Sequence, residues 1–427
     1  MSWQPTAAVL RVSVLPAAVA LVAVLTRRVD LLVVAAPLAL AALPLLRRPV
    51  EVPAAVLSIS DETPAEGSDL QVVVRVAGLT GAETVAVSAV ARGWVRPRTG
   101  TRVGAVTRPH RDGTATLAFD LTAARWGRAD VGPAAVDCSA AGGLLRWGPV
   151  ELGVRRLRVL PLSERYRGAT LVPRARGGIG LHRSPRPGQS SELAGIRAFA
   201  PGDRMRRVNW RVSLRTGELH VNATTSERDA DVLLLLDARY DAGVSGGLAG
   251  RASGVDTAVR ATAALTAFYL GLGDRVGLIA CSGQVRQLPA RAGRSQLQAV
   301  LTTLLDVSAP RLGGAEPALP EPAGIDPRAL VLVVSPMVGT LVFDRAAALG
   351  SAGHAVIVLD ALPDDAAPAE VGPWTAAALR LWRLERATRI AQLRALGVPV
   401  VPWRGESTLD QTLVELTRAV SRSGGQR

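Results

Sequence analysis

Residues 231–238 read DVLLLLDA, a valine and four leucines between two aspartates. Five apolar residues without polar alternation are too short for a helix and read as a strand buried on both faces. The rhythm continues downstream. The spacing predicts helices over 255–272, 295–305, 343–349, 375–396 and 409–420, with the cap of the second at Arg294 or Ser295 and Gly397 ending the fourth. Apolar strands are predicted at 276–280, 329–334, 354–359 and 398–401, with a short edge strand at 285–288. Strands alternating with helices mark an α/β domain over 229–427, a mostly parallel sheet covered on both faces. Pro and Gly between 309 and 327 make a long loop inside it.

Immediately upstream lies SSELAGIRAFAPGDRMRRVNWRVSLRTGEL, residues 190–219. It sets Arg197, Arg204, Arg206, Arg207, Arg211 and Arg215 among Phe199 and Trp210. Pro201-Gly202-Asp203 is a turn, with Pro fixing φ and Gly supplying the conformation other residues avoid. Residues 204–210 read as a short helical turn or a strand, and Gly217 separates them from a strand at 219–222. Residues 161–228 hold thirteen Arg against five acidic residues, a local excess of +8. Such a block binds nucleic acid or anionic lipid, or it forms ion pairs for which the planar Arg fork is suited. No zinc-finger, helix-turn-helix or aromatic RNA-binding pattern accompanies it, which favours ion pairs and makes nucleic acid an unlikely partner.

Residues 49–160 read as a small β-sandwich or barrel. Strand patterns at 71–76, 84–89, 114–119, 134–138 and 152–160 are separated by Gly67, Gly78, Gly81, Pro97, Gly100 and Gly113. Ahead of them stand two apolar runs, 7–26 and 29–46, joined by Arg27-Arg28. Each approaches the roughly 20 residues a helix needs to cross a bilayer. A second apolar run, where a signal peptide would give way to polar chain, favours a transmembrane hairpin over 1–48. The Arg balance slightly favours both ends in the cytoplasm, so the chain is expected to be a multi-pass protein of the cell membrane with cytoplasmic soluble domains. Cys138 and Cys281 have no ligand or redox spacing and give no case for an oxidising compartment. The net charge of +14 comes entirely from Arg, since the chain has no Lys, and this composition is discounted as a functional signal.

The run GIRAFAPGDRMRRVNWRVSLRTGELHV, 195–221, resembles the domain-of-unknown-function-58 family, found in membrane-anchored bacterial proteins. Phe199 stands where the family often has Tyr. Arg197, Gly202, Asp203, Arg204, Arg207 and Trp210 are the signature positions, expected to form a structural and interface cluster. The resemblance extends to the apolar hairpin, the β region and the last domain, which is similar to a von Willebrand factor A domain with a Rossmann-like fold. It implies a MoxR-type AAA ATPase as partner.

Metal-binding domains of the A type end their first strand in an Asp followed by two Ser at alternate positions, with a Thr and an Asp from later loops. Here the stretch is Asp237-Ala238-Arg239-Tyr240-Asp241. Arg239 brings a cation with no acceptor to the first Ser place, and Asp241 occupies the second. Ser295 stands loosely for the Thr, and Ser335-Pro336 lacks the later carboxylate. The degenerate positions Asp237, Arg239, Asp241 and Ser295 therefore predict no metal and no cofactor, with Asp237 pairing Arg239 or capping amides. Mg²⁺ at Asp237, Asp241 and Ser295 is the alternative. His110, His182, His220 and His354 have no neighbouring nucleophile, and Gly177-Gly178-Ile179-Gly180 lacks the Lys and Ser/Thr of a phosphate loop. Asp203 and Glu218 amid so many Arg read as salt-bridge partners. The chain is thus read as no enzyme. It is expected to be a membrane-tethered protein–protein interaction adaptor, assisting the ATPase in assembly or maturation of envelope proteins. The alternatives are a metal-dependent ligand-binding domain, and nucleic-acid or anionic-lipid binding through the Arg block.

Overall fold

The structure, a computed structural model, describes residues 2–46, 48–98, 103–162, 193–199, 205, 208–224, 231–309, 325–326, 329–366 and 372–403. The chain divides into two compact units, Met1–Leu162 with Gly247–Ala249, and Ser163–Gly246 with Gly250–Arg427.

The first unit opens with β1 (Gln4–Pro5) and then α1 (Ala7–Thr26), α2 (Asp30–Leu40) and a 3-10 turn, Leu43–Leu46. α1 is long and apolar enough to cross a membrane, and among the described residues it alone is. The second run departs from its expected single span. Its helix stops at Leu40, eleven residues long, and the chain continues as turns and 3-10 helix. Pro37 and Pro44 account for this, because proline withholds a backbone donor and crowds the preceding turn. The two helices pack together, burying small residues, Pro16 and Ala23 on α1 and Ala35 on α2.

The rest of the unit is β2 (Ala54–Ile59), β3 (Asp69–Ala77), β4 (Ala82–Arg92), β5 (Val95–Pro97), β6 (Val103–Thr107), β7 (Ala115–Ala123), β8 (Gly127–Ala140), β9 (Leu145–Leu152) and β10 (Arg155–Val159). They form two antiparallel sheets, β2-β3-β7-β5 and β1-β9-β8-β4-β6, with β10 added to β8. Alternation builds the core between them. Leu70, Val72, Val74 and Val76 of β3 face inward against Val85, Val87, Val131, Val136 and Trp147 while their neighbours face out. The pattern expected over 152–160 as one strand is two, parted at Gly153-Val154.

The second unit contains β11 (Leu193–Ala198), α3 (Trp210–Thr216), β12 (His220–Thr224), β13 (Asp231–Asp237), α4 (Gly254–Gly271), β14 (Arg275–Cys281), β15 (Val285–Arg291), α5 (Arg294–Leu304), β16 (Leu330–Ser335), α6 (Leu341–Ser351), β17 (Ala355–Asp360), α7 (Thr375–Ala395) and β18 (Val400–Pro402). The helix expected over 409–420 lies outside the described residues. The main sheet runs β15-β14-β13-β16-β17-β18, parallel except for β15 at the edge. Counted from β13 this is the order 3-2-1-4-5-6 of a doubly wound fold. Leu234, Leu236, Leu278, Val331, Leu332 and Val334 are buried, which is why these strands read as unbroken apolar runs. α4 starts at a complete capping box: the Ser253 side chain accepts from Asp256 N, and the Asp256 carboxylate accepts from Ser253 N.

Candidate functional site

In an open α/β sheet the ligand crevice lies beyond the carboxyl ends of the strands, where the strand order reverses. Here that point lies between β13 and β16. Four neighbouring strands end there in one register row: Cys281 opposite Asp237, Asp237 beside Ser335, and Ser335 opposite Asp360.

Asp237 is fully engaged. Arg239, two residues on, turns back so that its Nε donates to Asp237 Oδ1 at 2.8 Å, its backbone N–H to the same oxygen at 3.3 Å and its Nη2 to Oδ2 at 3.4 Å. Ser335 Oγ donates to Oδ2 at 2.8 Å and accepts from Met337 N at 2.9 Å. Both side chains of the ion pair are 1% exposed. Burial works to lower the Arg239 pKa, but the hydrogen bond and charge of Asp237 outweigh it, so the guanidinium stays charged. Met337 holds φ of 53°, an uncommon conformation for a non-glycine residue, in the turn that brings its N–H onto Ser335.

A second pair closes the same edge. Arg386 of α7 donates through Nη2 to Asp360 Oδ1, and to Pro336 O at 3.3 Å. Asp360 also accepts from Leu362 N at 3.1 Å. Burial raises the Asp360 carboxyl above its ordinary pKa, with Arg386 opposing it. Burial likewise pushes the Cys281 thiol up to about 12, with Asp237 adding to the effect.

The expected degenerate positions do not converge. Asp237 and Arg239 meet, as the sequence suggested. Asp241 instead accepts from Val255 N at 3.0 Å, holding the start of α4. Ser295 stands in the first turn of α5, whose next residue, Gln296, donates to Val276 O at 2.7 Å. Val276 is the second residue of β14 and Cys281 its last, so Ser295 lies toward the opposite end of the sheet from Asp237. The antiparallel β15 carries the chain there, a reversal invisible to a reading that placed Ser295 by order alone. The cap of α5 is Gly293 rather than Arg294 or Ser295. Among the described residues no three His, Cys, Asp or Glu side chains gather as a metal set. Sequence reasoning missed Asp360 and Arg386. An Asp ending an apolar strand is a signal, but its partner is 26 residues away.

Of the signature positions, Gly202, Asp203, Arg204 and Arg207 lie outside the described residues. Arg197 is on β11, opposite Val221 of β12. Where the sequence allows a short helical turn or a strand over 204–210, the helix starts at Trp210. Asn209 caps it, its side chain accepting from Val212 N at 3.2 Å, while Asn209 N donates to His220 O at 2.8 Å. Ser213 Oγ accepts from His220 N at 2.9 Å and donates to Asn209 O at 2.8 Å. Gly217, with φ of 76°, ends the helix. On this scaffold Trp210 is 57% exposed and Leu214, one turn later, 83%.

Residues 195–392 match the family described as protein of unknown function DUF58. The uncharacterized proteins Rv1480 of Mycobacterium tuberculosis (strain ATCC 25618 / H37Rv) and Mb1516 of Mycobacterium bovis (strain ATCC BAA-935 / AF2122/97) are 32% identical to this chain over 203 residues, 45% of this chain and 62% of theirs. The chain thus spans less than two thirds of the curated relatives it matches. The family match begins within β11 and leaves α1, α2 and the β-sandwich outside it. Among solved structures, the complex of zinc 2-glycoprotein and prolactin inducible protein from human seminal plasma is similar at 9% identity, covering 25% of this chain and 92% of that one, with a TM-score of 0.20. A β-glucosidase from Listeria innocua is similar at 12% identity over 25% of this chain and 16% of its own, with a TM-score of 0.16. Likenesses this low carry no argument.

Proposed function

We propose that this chain is a non-enzymatic, membrane-tethered adaptor whose α/β unit binds a protein partner. The observation that carries this reading is α3. A braced seven-residue helix inside the matched family region turns Trp210 and Leu214 to solvent. Exposed aromatic anchors on a rigid element are what binding hot spots are made of. The partner taken from the family resemblance is a MoxR-type AAA ATPase acting on envelope proteins. α1 supplies the anchor, with α2 and the 3-10 turn as the returning leg of a hairpin and the soluble units in the cytoplasm. The last domain is read as von Willebrand factor A-like, with a sheet edge filled by ion pairs instead of metal.

The chain solubilised from membranes should retain such an ATPase on affinity capture, and Trp210→Ala with Leu214→Ala should release it. Undiminished capture by that double variant removes α3 from the interface. Calorimetric titration with Mg²⁺ or Mn²⁺ should show no saturable binding, since every oxygen of Asp237 is already engaged by Arg239 or Ser335. A one-to-one site that disappears in Asp237→Ala would favour the metal-dependent alternative.

A further inference from the structure

α1 meets the β-sandwich without a linker. β1 is itself a strand of the sandwich, pairing Gln4 with Arg146 and Pro5 with Leu145 of β9. Thr6 N donates to Leu144 O at 2.9 Å, and its Oγ1 to Gly143 O at 2.9 Å. Trp3 Nε1 donates to Glu51 O at 3.0 Å. α1 begins at Ala7, directly after Thr6. Ala8, Val9 and Val12 on one leg, and Leu45 on the other, pack on Ala140, Ala141, Leu144 and Leu145 of the β8–β9 turn.

One end of the sandwich gathers around that turn. Glu83 accepts from Gly142 N at 2.8 Å, Thr80 Oγ1 donates to Glu51 at 3.3 Å, and Leu79 N donates to Gly113 O at 2.9 Å. This basal end therefore carries the turns at 79–82, 108–113 and 141–144, and Arg108, His110 and Arg111 are exposed on the second. The chain leaves the sandwich at the other end, where Val159 pairs with Gly127 and Leu160 N donates to Pro64 O. β8 connects the two ends, its fourteen residues spanning roughly 40 Å.

Length decides where the basal end must sit. The twenty residues of α1 give roughly 30 Å of helix, about the thickness of the hydrocarbon core and no more. Yet its first turns are spent against the β8–β9 turn. If α1 crosses, Ala141 and Leu144 cannot stand clear of the membrane. We infer that the basal end of the sandwich is a bilayer-binding surface, with the β8–β9 turn at the acyl–headgroup boundary and Arg108 and Arg111 on anionic phospholipid headgroups. This rests on the reading of α1 as the anchor. Exposed Arg11 and Arg48 flank the same level, and basic side chains beside a membrane segment are drawn to anionic lipid.

The test uses the full chain in vesicles containing phosphatidylglycerol and lipid spin-labelled at the headgroup. His110→Cys places a fluorescent label at the basal end and Glu62→Cys one at the far end, where Glu62 O accepts from Arg158 N. Cys138 and Cys281 are buried, so the introduced thiol takes the label. The label at 110 should be quenched and the label at 62 should not. Adding Arg108→Glu and Arg111→Glu should lessen the quenching at 110 without abolishing it, since α1 still holds the β8–β9 turn at the bilayer. Equal signals at both positions, in protein that floats with the vesicles and resists carbonate extraction, would overturn this placement while leaving the anchor intact. Quenching unchanged by the two Glu substitutions would remove the arginines from the contact. Protein that fails to float overturns the anchor itself, and this inference with it.

Discussion

Two Asp–Arg pairs close the carboxyl edge of the same sheet, and they are built differently. Asp237 and Arg239 are two residues apart, lie within one strand end, and leave 1% of either side chain exposed. Asp360 and Arg386 bridge β17 to α7 across 26 residues, with 15% and 13% exposed. The first is a local plug at the switch point; the second is a clasp between elements. A charge deep in the fold has no water to fall back on, so the plug is the pair whose loss should hurt most.

The largest expected effect follows from that difference. Arg239→Met leaves the Asp237 carboxylate buried without its cation and should cost about 3–5 kcal/mol in denaturant unfolding. Adding Asp237→Asn should restore most of it, because an uncharged pair needs no partner cation. A single variant as stable as the parent would show that Asp237 finds water or another donor. Cys281, level with Asp237 in the register, reports the same event chemically. With a thiol pKa of about 12, roughly one molecule in ten thousand is thiolate at pH 8, so iodoacetamide should not label it in the folded protein. Losing the guanidinium raises the Cys281 thiol further, so Arg239→Met should speed labelling there only by opening the destabilised α/β unit, and should not speed it at Cys138, which sits in the sandwich core.

The clasp should be weaker and pH-dependent. Removing the charged hydrogen bond in Arg386→Ala should cost about 1–3 kcal/mol near neutral pH. Burial raises the folded pKa of Asp360, so folding favours its protonated form. That contribution is fully present below the unfolded value of about 3.9 and is lost as pH rises through the folded value. Arg386 offsets part of the loss. The stability gap between Arg386→Ala and the parent should therefore widen as pH rises from below 4 toward 7 and shrink at the acid end. A gap independent of pH would mean that Arg386 acts through the Trp382 ring, whose centre lies 6.0 Å from its guanidinium carbon, and through its hydrogen bond to Pro336 O rather than through the Asp360 charge.

These pairs also show what the sequence could carry. Asp237 and Arg239 were legible because both ends of the interaction lie within one strand terminus. The parallel strands were legible because they are buried on both faces and read as apolar runs. Asp360–Arg386 was not, since nothing local says which arginine of a long helix reaches the sheet edge. Ser295 was misplaced because an antiparallel edge strand inverts the end at which the next helix begins. The second apolar run read as a full span because composition counts apolar residues and is blind to what Pro37 and Pro44 do to backbone hydrogen bonds. β11 was overlooked because its pairing with β12 is set across a 21-residue gap by register rather than by alternation.

The smallest stability effect belongs to α3, and it separates scaffold from surface. Asn209→Ala removes the helix cap and should cost about 1 kcal/mol. Trp210→Ala removes a side chain more than half exposed and should change stability by no more than about 0.5 kcal/mol. Against the two sheet-edge pairs, whose side chains are spent inside the fold, Trp210 has contact area still to give. Its substitution should therefore weaken capture of the proposed partner far more than its stability change explains, whereas Asn209→Ala should weaken capture only as far as it frays the helix. If Trp210→Ala destabilised the protein as much as Arg386→Ala did while leaving capture untouched, the signature helix would be structural, and the partner surface would have to be sought elsewhere on the α/β unit.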